Sequence, residues 1–265
     1  MYYIFNGKLL KKNEKTMINP LSDGAMYGYG LFETIKIKNS KPIFLQSHLD
    51  RLRKGLNKLG IISLYSDKKI KEFVKKLINK NLFDGALKIV IIKKKNISDL
   101  IILMQKSKYN YQMYKKGFNV KISDVLRNST SKLVRFKTIN YLENIFELKK
   151  AKKDNFNEVI FFNEKGFLAE GSISNIFVIK DNKIYTPSLS NGLLNGIIRQ
   201  KLINLKSINI LKANISKEFL SNADEVFLTN SLMEVMPVYN IDNIDYYSSN
   251  FEKSKFLRKL IKKEI

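Results

Sequence analysis

"EVIFFNEKGFLAEGSISNIFVIKDNKIYTP", residues 158–187, reads as a β-meander. Short runs rich in Val, Ile and Phe are separated by turn residues at 163–166 and 181–183. Upstream lie a strand at "FNVKIS" (118–123) and a helix over about 141–153. Downstream, a helix over about 196–206, more short strands and a terminal helix around "EKSKFLRKLIKK" (252–263) complete a β-rich half.

The other half mixes the two periods. "MYYIFNGKLL" (1–10) is a strand and turn, and "GLFETIKIKNSKPIFL" (30–45) alternates apolar residues around "KNSK" as a hairpin does. In "SHLDRLRKGLNKLG" (47–60), Leu49, Leu52, Leu56 and Leu59 recur at helical spacing, and Gly60 can end the helix. "SDKKIKEFVKKLINK" (66–80) starts at a cap, Ser66 or Asp67, and puts Ile70, Phe73, Val74 and Leu77 on one face. "ALKIVII" (86–92) and "DLIILMQ" (99–105) are strands, and the polar "KSKYNYQMYKKG" (106–117) is a candidate linker. The expected class is α/β (α+β): a small N-terminal α/β domain over 1–112 and a larger C-terminal domain over 113–265.

Composition narrows the chemistry. The chain has 265 residues, 44% hydrophobic and 11% aromatic, enough to bury a sizeable core. Cysteine is absent, which removes disulfides and thiolate nucleophiles, and a single histidine, His48, leaves no material for a His-based triad or a multi-His metal site. No metal is expected. Catalysis must rest on lysine, carboxylates, hydroxyls or a cofactor. No stretch is apolar enough to span a bilayer and none resembles a signal peptide, so a cytoplasmic protein without membrane partners is expected. The net charge of +24 favours anionic partners in general. Its cations are scattered over nearly every segment with no polybasic arm, so it reads as compositional bias, and no nucleic-acid partner is expected.

Four segments of the second half carry more than packing needs. In "RFKTINY" (135–141), a lysine at the end of an apolar strand is partly desolvated, which frees its amine for a Schiff base. In "LAEGSISNIFVIK" (168–180), Glu170 lies among small and apolar residues and needs a partner: either Ser172, Ser174 and Asn175 locally, or a cationic ligand nitrogen. "PSLSNGLLNGIIRQ" (187–200) opens into a helix whose first N–H groups suit a phosphate, with the spacing of neither a P-loop nor a dinucleotide fingerprint. "ADEVFLTNSLMEVMPV" (223–238) ends a strand in Thr229, Asn230 and Ser231. In the first half, Arg51 of "HLDRL" offers a fork that suits a phosphate.

Together with "YGYGLFETIKI", these pieces resemble, in order and along almost the whole chain, the class IV pyridoxal-phosphate enzymes. That family contains branched-chain and D-amino-acid aminotransferases and aminodeoxychorismate lyases. The resemblance implies the two-domain D-amino-acid-aminotransferase-like fold, pyridoxal 5'-phosphate as cofactor, and a homodimer acting on a small molecule. It also implies that Lys137 carries the cofactor as a Schiff base, that Glu170 pairs with its pyridine nitrogen, and that Tyr141 sits near its phenolic oxygen. Arg51, the backbone of Gly196, Ile197 and Ile198, and the Ser231 hydroxyl would bind the phosphate. Many members have Thr where this chain has Ile198.

The aminotransferase signatures are broken. Ala86 and Lys88 stand where branched-chain enzymes carry Tyr-x-Arg, and the Arg-x-His carboxylate trap of D-amino-acid enzymes cannot exist with His48 the sole histidine. "LLNGIIRQ" and "SLMEVMPV" are similar to the lyase versions, although Glu234 is an aminotransferase-like feature. Phe32, Thr34 and Lys36 share one face of a strand, and Lys88 adds a second cation, a set that suits a substrate with two carboxylates. The implied reaction is cleavage of 4-amino-4-deoxychorismate to p-aminobenzoate and pyruvate, with Thr34 assisting proton delivery. The alternative is an aminotransferase acting on branched-chain or D-amino acids.

Overall fold

The computed structural model describes residues 1–246 and 250–265 and divides into two compact units. The first comprises Met1–Lys108 and Phe136–Tyr141; the second comprises Tyr109–Arg135 and Leu142–Ile265. The lysine-bearing segment thus belongs with the first unit, although it follows the linker in sequence.

The first unit is built on β1 (Tyr2–Phe5), β2 (Lys8–Lys11), β3 (Gly30–Lys38), β4 (Lys41–Pro42), β5 (Gly85–Lys93) and β6 (Ser98–Lys106). They form one antiparallel sheet in the order β2-β1-β6-β5-β3-β4. The turn at Asn39 and Ser40 has both residues at positive φ, the twist that a two-residue hairpin requires. The Asp84 carboxylate accepts from both of their N–H groups. Helices α1 (Asp23–Tyr27), α2 (Leu45–Lys58) and α3 (Asp67–Asn81) complete the unit. Ser66 caps α3, and Gly60 follows α2 in the left-handed conformation. Short α1, capped by Ser22, has too few residues to show a period and was not foreseen.

Period two decides what this sheet presents. Leu31, Ile35 and Ile37 of β3 and Leu87, Ile89 and Ile91 of β5 pack with Leu49, Leu52 and Leu56 of α2 and Ile70, Phe73 and Leu77 of α3. Each such side chain contributes about 1.5–3 kcal/mol on burial. The alternate residues, Phe32, Thr34 and Lys36, fall on the opposite face.

The second unit contains α4 (Tyr111–Lys116), β7 (Phe118–Ile122), α5 (Leu142–Lys153), β8 (Glu158–Phe162), β9 (Leu168–Gly171), β10 (Asn175–Lys180), β11 (Lys183–Pro187), α6 (Ile197–Ile203), β12 (Ile210–Ala213), α7 (Lys217–Ser221), β13 (Glu225–Asn230), β14 (Glu234–Ile241), β15 (Ile244–Asp245) and α8 (Glu252–Lys263). Its sheet runs β12-β11-β10-β13-β14-β7-β8-β9, with β15 on β14. The sheet curls, so that Leu168 of β9 donates its N–H to the Ile215 carbonyl. The expected meander is correct for β8–β9 and β10–β11 but breaks between β9 and β10, where β10 pairs with β13 instead. The stretch read as a linker contains α4, because Asn110 accepts from the Met113 N–H and caps it.

Candidate active site

Lys137 does not end an apolar strand, as the sequence suggested. The chain leaves a 3-10 turn at Leu133–Arg135 and lies extended beside the start of β3. Phe32 donates its N–H to the Lys137 carbonyl at 2.9 Å, and Ile139 donates to the Gly30 carbonyl at 3.0 Å. Gly30 is required here, since a Cβ would lie 2.4 Å from the Ile91 carbonyl oxygen.

This docking fixes the lysine amine among aromatic rings. Lys137 Nζ lies 4.3 Å from the Phe32 centroid and 5.1 Å from that of Tyr141, and the two rings meet edge to face at 5.3 Å. Lys88 Nζ stands 5.0 Å from the Phe32 centroid. Thr34 is directly opposite Lys88 and Lys36 opposite Ala86 in the β3–β5 register. Phe32, Thr34, Lys36, Lys88, Lys137 and Tyr141 are therefore gathered in one unit, on or beside one sheet face, and all but the buried Phe32 are partly buried.

The other side of β3 carries a group that the sequence reading missed. Glu33 is buried and accepts from Arg51 Nε at 2.7 Å and Nη2 at 2.6 Å, with His48 Nδ1 at 2.6 Å. Burial pushes its carboxyl up, but the Arg51 charge and the hydrogen bonds of Arg51 and His48 outweigh it and bring it to about 2. Burial holds the His48 imidazole below its ordinary value. The Glu33 hydrogen bond opposes that lowering, while the charges of Arg51 and Lys137 reinforce it. A signal existed in the sequence: by period two, Glu33 falls among Leu31, Ile35 and Ile37 on the core face, where a carboxylate needs cationic cover.

In the second unit, Glu170 lies on β9 with its carboxylate accepting the Leu194 N–H at 3.0 Å. Arg127 Nε is 3.9 Å from Glu170 Oε1 and has no hydrogen-bond partner among the described residues. The Arg127 guanidinium lies over the Phe161 ring at 4.0 Å and bonds Glu143 at 2.5 Å. The local partners foreseen for Glu170 are directed elsewhere. The hydroxyls of Ser172 and Ser174 both reach Glu158, a buried carboxylate that burial pushes up. Asn175 instead holds the loop before α6: its Nδ2 donates to the Leu194 carbonyl at 2.8 Å and its Oδ1 accepts the Gly196 N–H at 3.1 Å. Glu170 and Asn175 thus pin residues 194–196 from two sides.

Gly196 is the N-cap of α6, so Ile197 and Ile198 stand in the first turn, whose N–H groups have no partner within the helix. Their side chains are buried in the core, so only backbone is offered there. Ser231 follows β13 in a turn held by Asn230, whose Oδ1 accepts from the N–H groups of Leu232 and Met233 at 2.9 Å each. Glu234, left-handed at φ 61°, is buried with Arg258 Nε at 3.8 Å. The Arg258 guanidinium lies over the Tyr114 ring at 3.3 Å. Glu234 thus ties the turn to α8.

Two mixed α/β units with a lysine amine docked among aromatic rings define a fold shared with known cofactor-dependent enzymes. A candidate 4-amino-4-deoxychorismate lyase of Legionella pneumophila superposes with a TM-score of 0.86 at 29% identity, over 96% of this chain and 97% of that one. The family model described as amino-transferase class IV matches residues 30–241, and the chain belongs to that family. An aminodeoxychorismate lyase of Bacillus subtilis is 33% identical over 100% of this chain and 94% of its own length. A D-alanine aminotransferase of Bacillus licheniformis is 30% identical over 91% of this chain and 89% of its own. The family is one of pyridoxal 5'-phosphate enzymes.

Proposed function

We propose that this protein is a pyridoxal 5'-phosphate-dependent lyase that converts 4-amino-4-deoxychorismate to p-aminobenzoate and pyruvate, working as a cytoplasmic homodimer. The observation that carries the reading is the cationic face around Phe32. Lys88 occupies the place of an aminotransferase signature and approaches the same ring as Lys137, with Thr34 and Lys36 beside it on that face. Two cations next to an aromatic ring suit a cyclic substrate bearing two carboxylates. Identity to the Bacillus subtilis lyase along the full chain supports it.

The residues present fit the cofactor. Lys137 supplies an amine, and Glu170 a buried carboxylate backed by a guanidinium with an unbonded Nε. Of the kinds of group the phosphate needs, the second unit offers the backbone N–H groups of Gly196, Ile197 and Ile198 and the Ser231 hydroxyl, and the first unit offers Arg51, with Tyr141 as a phenol that would suit the ring oxygen. When bound, the group supplies an electron sink for the carbon bearing the substrate amine. Glu170 holds the proton on the ring nitrogen. With the cofactor bound, the Lys137 amine would act as the base that takes the proton from the amine-bearing carbon of the substrate. Lys36 and Lys88 would orient the substrate carboxylates, the Phe32 ring would lie against its six-membered ring, and Thr34 would relay to the departing enolpyruvate the proton taken up by Lys137.

A transaminase of branched-chain or D-amino acids is the second reading, favoured by the 30% identity to the D-alanine enzyme. Glu234, its sequence marker, adds nothing to it, since its carboxylate is engaged near Arg258. Coupled detection of pyruvate from 4-amino-4-deoxychorismate, with Lys137→Ala as control, is the test. Release lost in the variant is expected. An absence of release from protein that holds pyridoxal phosphate through Lys137 would transfer the reading to the transaminase.

The homodimer is supported by α5, which buries Asn144 and Glu147 yet exposes Leu142, Ile145 and Phe146. Sedimentation at two concentrations checks it.

A further inference from the structure

We propose that Glu33 is a positioning residue for cofactor phosphate binding, acting by holding the Arg51 guanidinium from the core side of β3; this rests on the cofactor reading above. The argument starts from burial. A carboxylate with about 1% exposure in an apolar core is costly, and a fold retains it only with full cationic and hydrogen-bonded cover. Glu33 takes two parallel N–H bonds from one edge of the Arg51 guanidinium, at 2.7 and 2.6 Å. That bidentate contact fixes the plane of the fork.

The exposure of the partners is unequal. Glu33 and His48 are sealed, whereas the Arg51 side chain is 16% exposed. A guanidinium carries five N–H groups, of which Glu33 occupies two. The rest of the fork is oriented by a contact that a ligand cannot displace from outside.

Placement on β3 adds the second link. Phe32 and Glu33 are consecutive and point to opposite faces. Phe32 holds the Lys137 carbonyl through its N–H and lies under the Lys137 amine. Glu33 holds Arg51. One rigid strand therefore sets the position of the amine and of the phosphate-binding cation together. His48, bonded to Glu33, feels the charges of both Arg51 and Lys137, which places all three cationic or ionisable groups in one electrostatic neighbourhood.

The test compares two probes on the full-length chain by equilibrium dialysis: pyridoxal 5'-phosphate and pyridoxal, which lacks the phosphate. Wild type is expected to prefer the phosphorylated form strongly. Glu33→Gln keeps the shape but removes the charge; it is expected to weaken pyridoxal phosphate binding at least tenfold and leave pyridoxal binding unchanged, collapsing the ratio. Inorganic phosphate should compete less well in the variant by a similar factor. If Glu33→Gln does not fold, Glu33→Asp, which keeps the charge and shortens the reach, should give an intermediate ratio. An unchanged ratio, or equal losses for both probes, overturns the positioning role while leaving the cofactor reading intact. A wild type that binds neither probe overturns both.

Discussion

Replacing Gly196 with alanine tests how the loop before α6 is built. The backbone at Gly196 has φ −65° and ψ 149°, which any residue adopts, so no dihedral strain arises. The difficulty is contact: a Cβ would lie 2.0 Å from Asn175 Oδ1, about 1 Å inside the closest approach that real Cβ atoms show. Asn175 is buried and joined to the loop by two hydrogen bonds, at 2.8 and 3.1 Å. A retreat of 1 Å or more lengthens both beyond bonding distance. Two buried bonds lost at about 1–2 kcal/mol each set a cost of roughly 2–4 kcal/mol. For a chain of this size each kcal/mol moves Tm by about 2–4 °C. Gly196→Ala should therefore melt roughly 4–16 °C below wild type and bind pyridoxal phosphate at least tenfold more weakly.

The sharper measurement is a cycle with Asn175→Ala. That variant alone leaves the Leu194 carbonyl and the Gly196 N–H without their side-chain partner, at a similar cost of roughly 2–4 kcal/mol. It also removes the atom that the new Cβ would strike. The double variant should thus be about as stable as Asn175→Ala alone, a coupling equal to the full Gly196→Ala cost of roughly 2–4 kcal/mol. Calorimetric melting of the four proteins decides the matter. Additive losses, or a Gly196→Ala protein with wild-type Tm, would refute the reasoning.

Three further outcomes are expected. Lys88→Met should raise KM for 4-amino-4-deoxychorismate about 10–100-fold with little change in kcat, as loss of a charge-assisted contact made equally in ground and transition states does; steady-state kinetics with unchanged KM would remove Lys88 from the site. Glu33 has a folded carboxyl near 2 against 4.5, so its contribution, on the order of 3 kcal/mol, is full above about pH 4.5 and lost as pH falls toward 2. Urea unfolding between pH 6 and 3 should show wild type losing more than half of that increment and Glu33→Gln not; parallel curves would contradict it. Arg258→Ala removes the cation facing buried Glu234 and the contact over Tyr114, and should cost about 2–4 kcal/mol with pyridoxal phosphate affinity unchanged. A change in affinity without a change in Tm would instead put Arg258 in the binding machinery.

Much of this was legible in the residue order, because it depends on short-range periodicity. The alternation in β3 divides Phe32, Thr34 and Lys36 from Leu31, Ile35 and Ile37, and the spacing of Leu49, Leu52 and Leu56 makes one face of α2. Ser66 marks a helix start, and Gly60 an end, by local backbone chemistry alone. Lys137, Glu170 and Arg51 are singled out by motifs that lie in the order the family shows, and the family model matches residues 30–241.

What escaped depends on contacts between residues far apart in sequence. No local pattern tells that β10 leaves β9 to pair with β13, since strand pairing is chosen by which apolar faces can be covered together. Nor does one tell that 136–141 returns across the linker to dock on β3, where backbone bonds at Phe32 and Ile139, not a strand of its own, hold Lys137. The serines beside Glu170 looked like its partners, yet they reach Glu158, because folding sealed that carboxylate from water and it had to be satisfied first. The sequence by itself determined the elements, the faces they bury and the chemistry available. Tertiary structure decided which polar groups lost their water, and hence that Glu33 must hold Arg51.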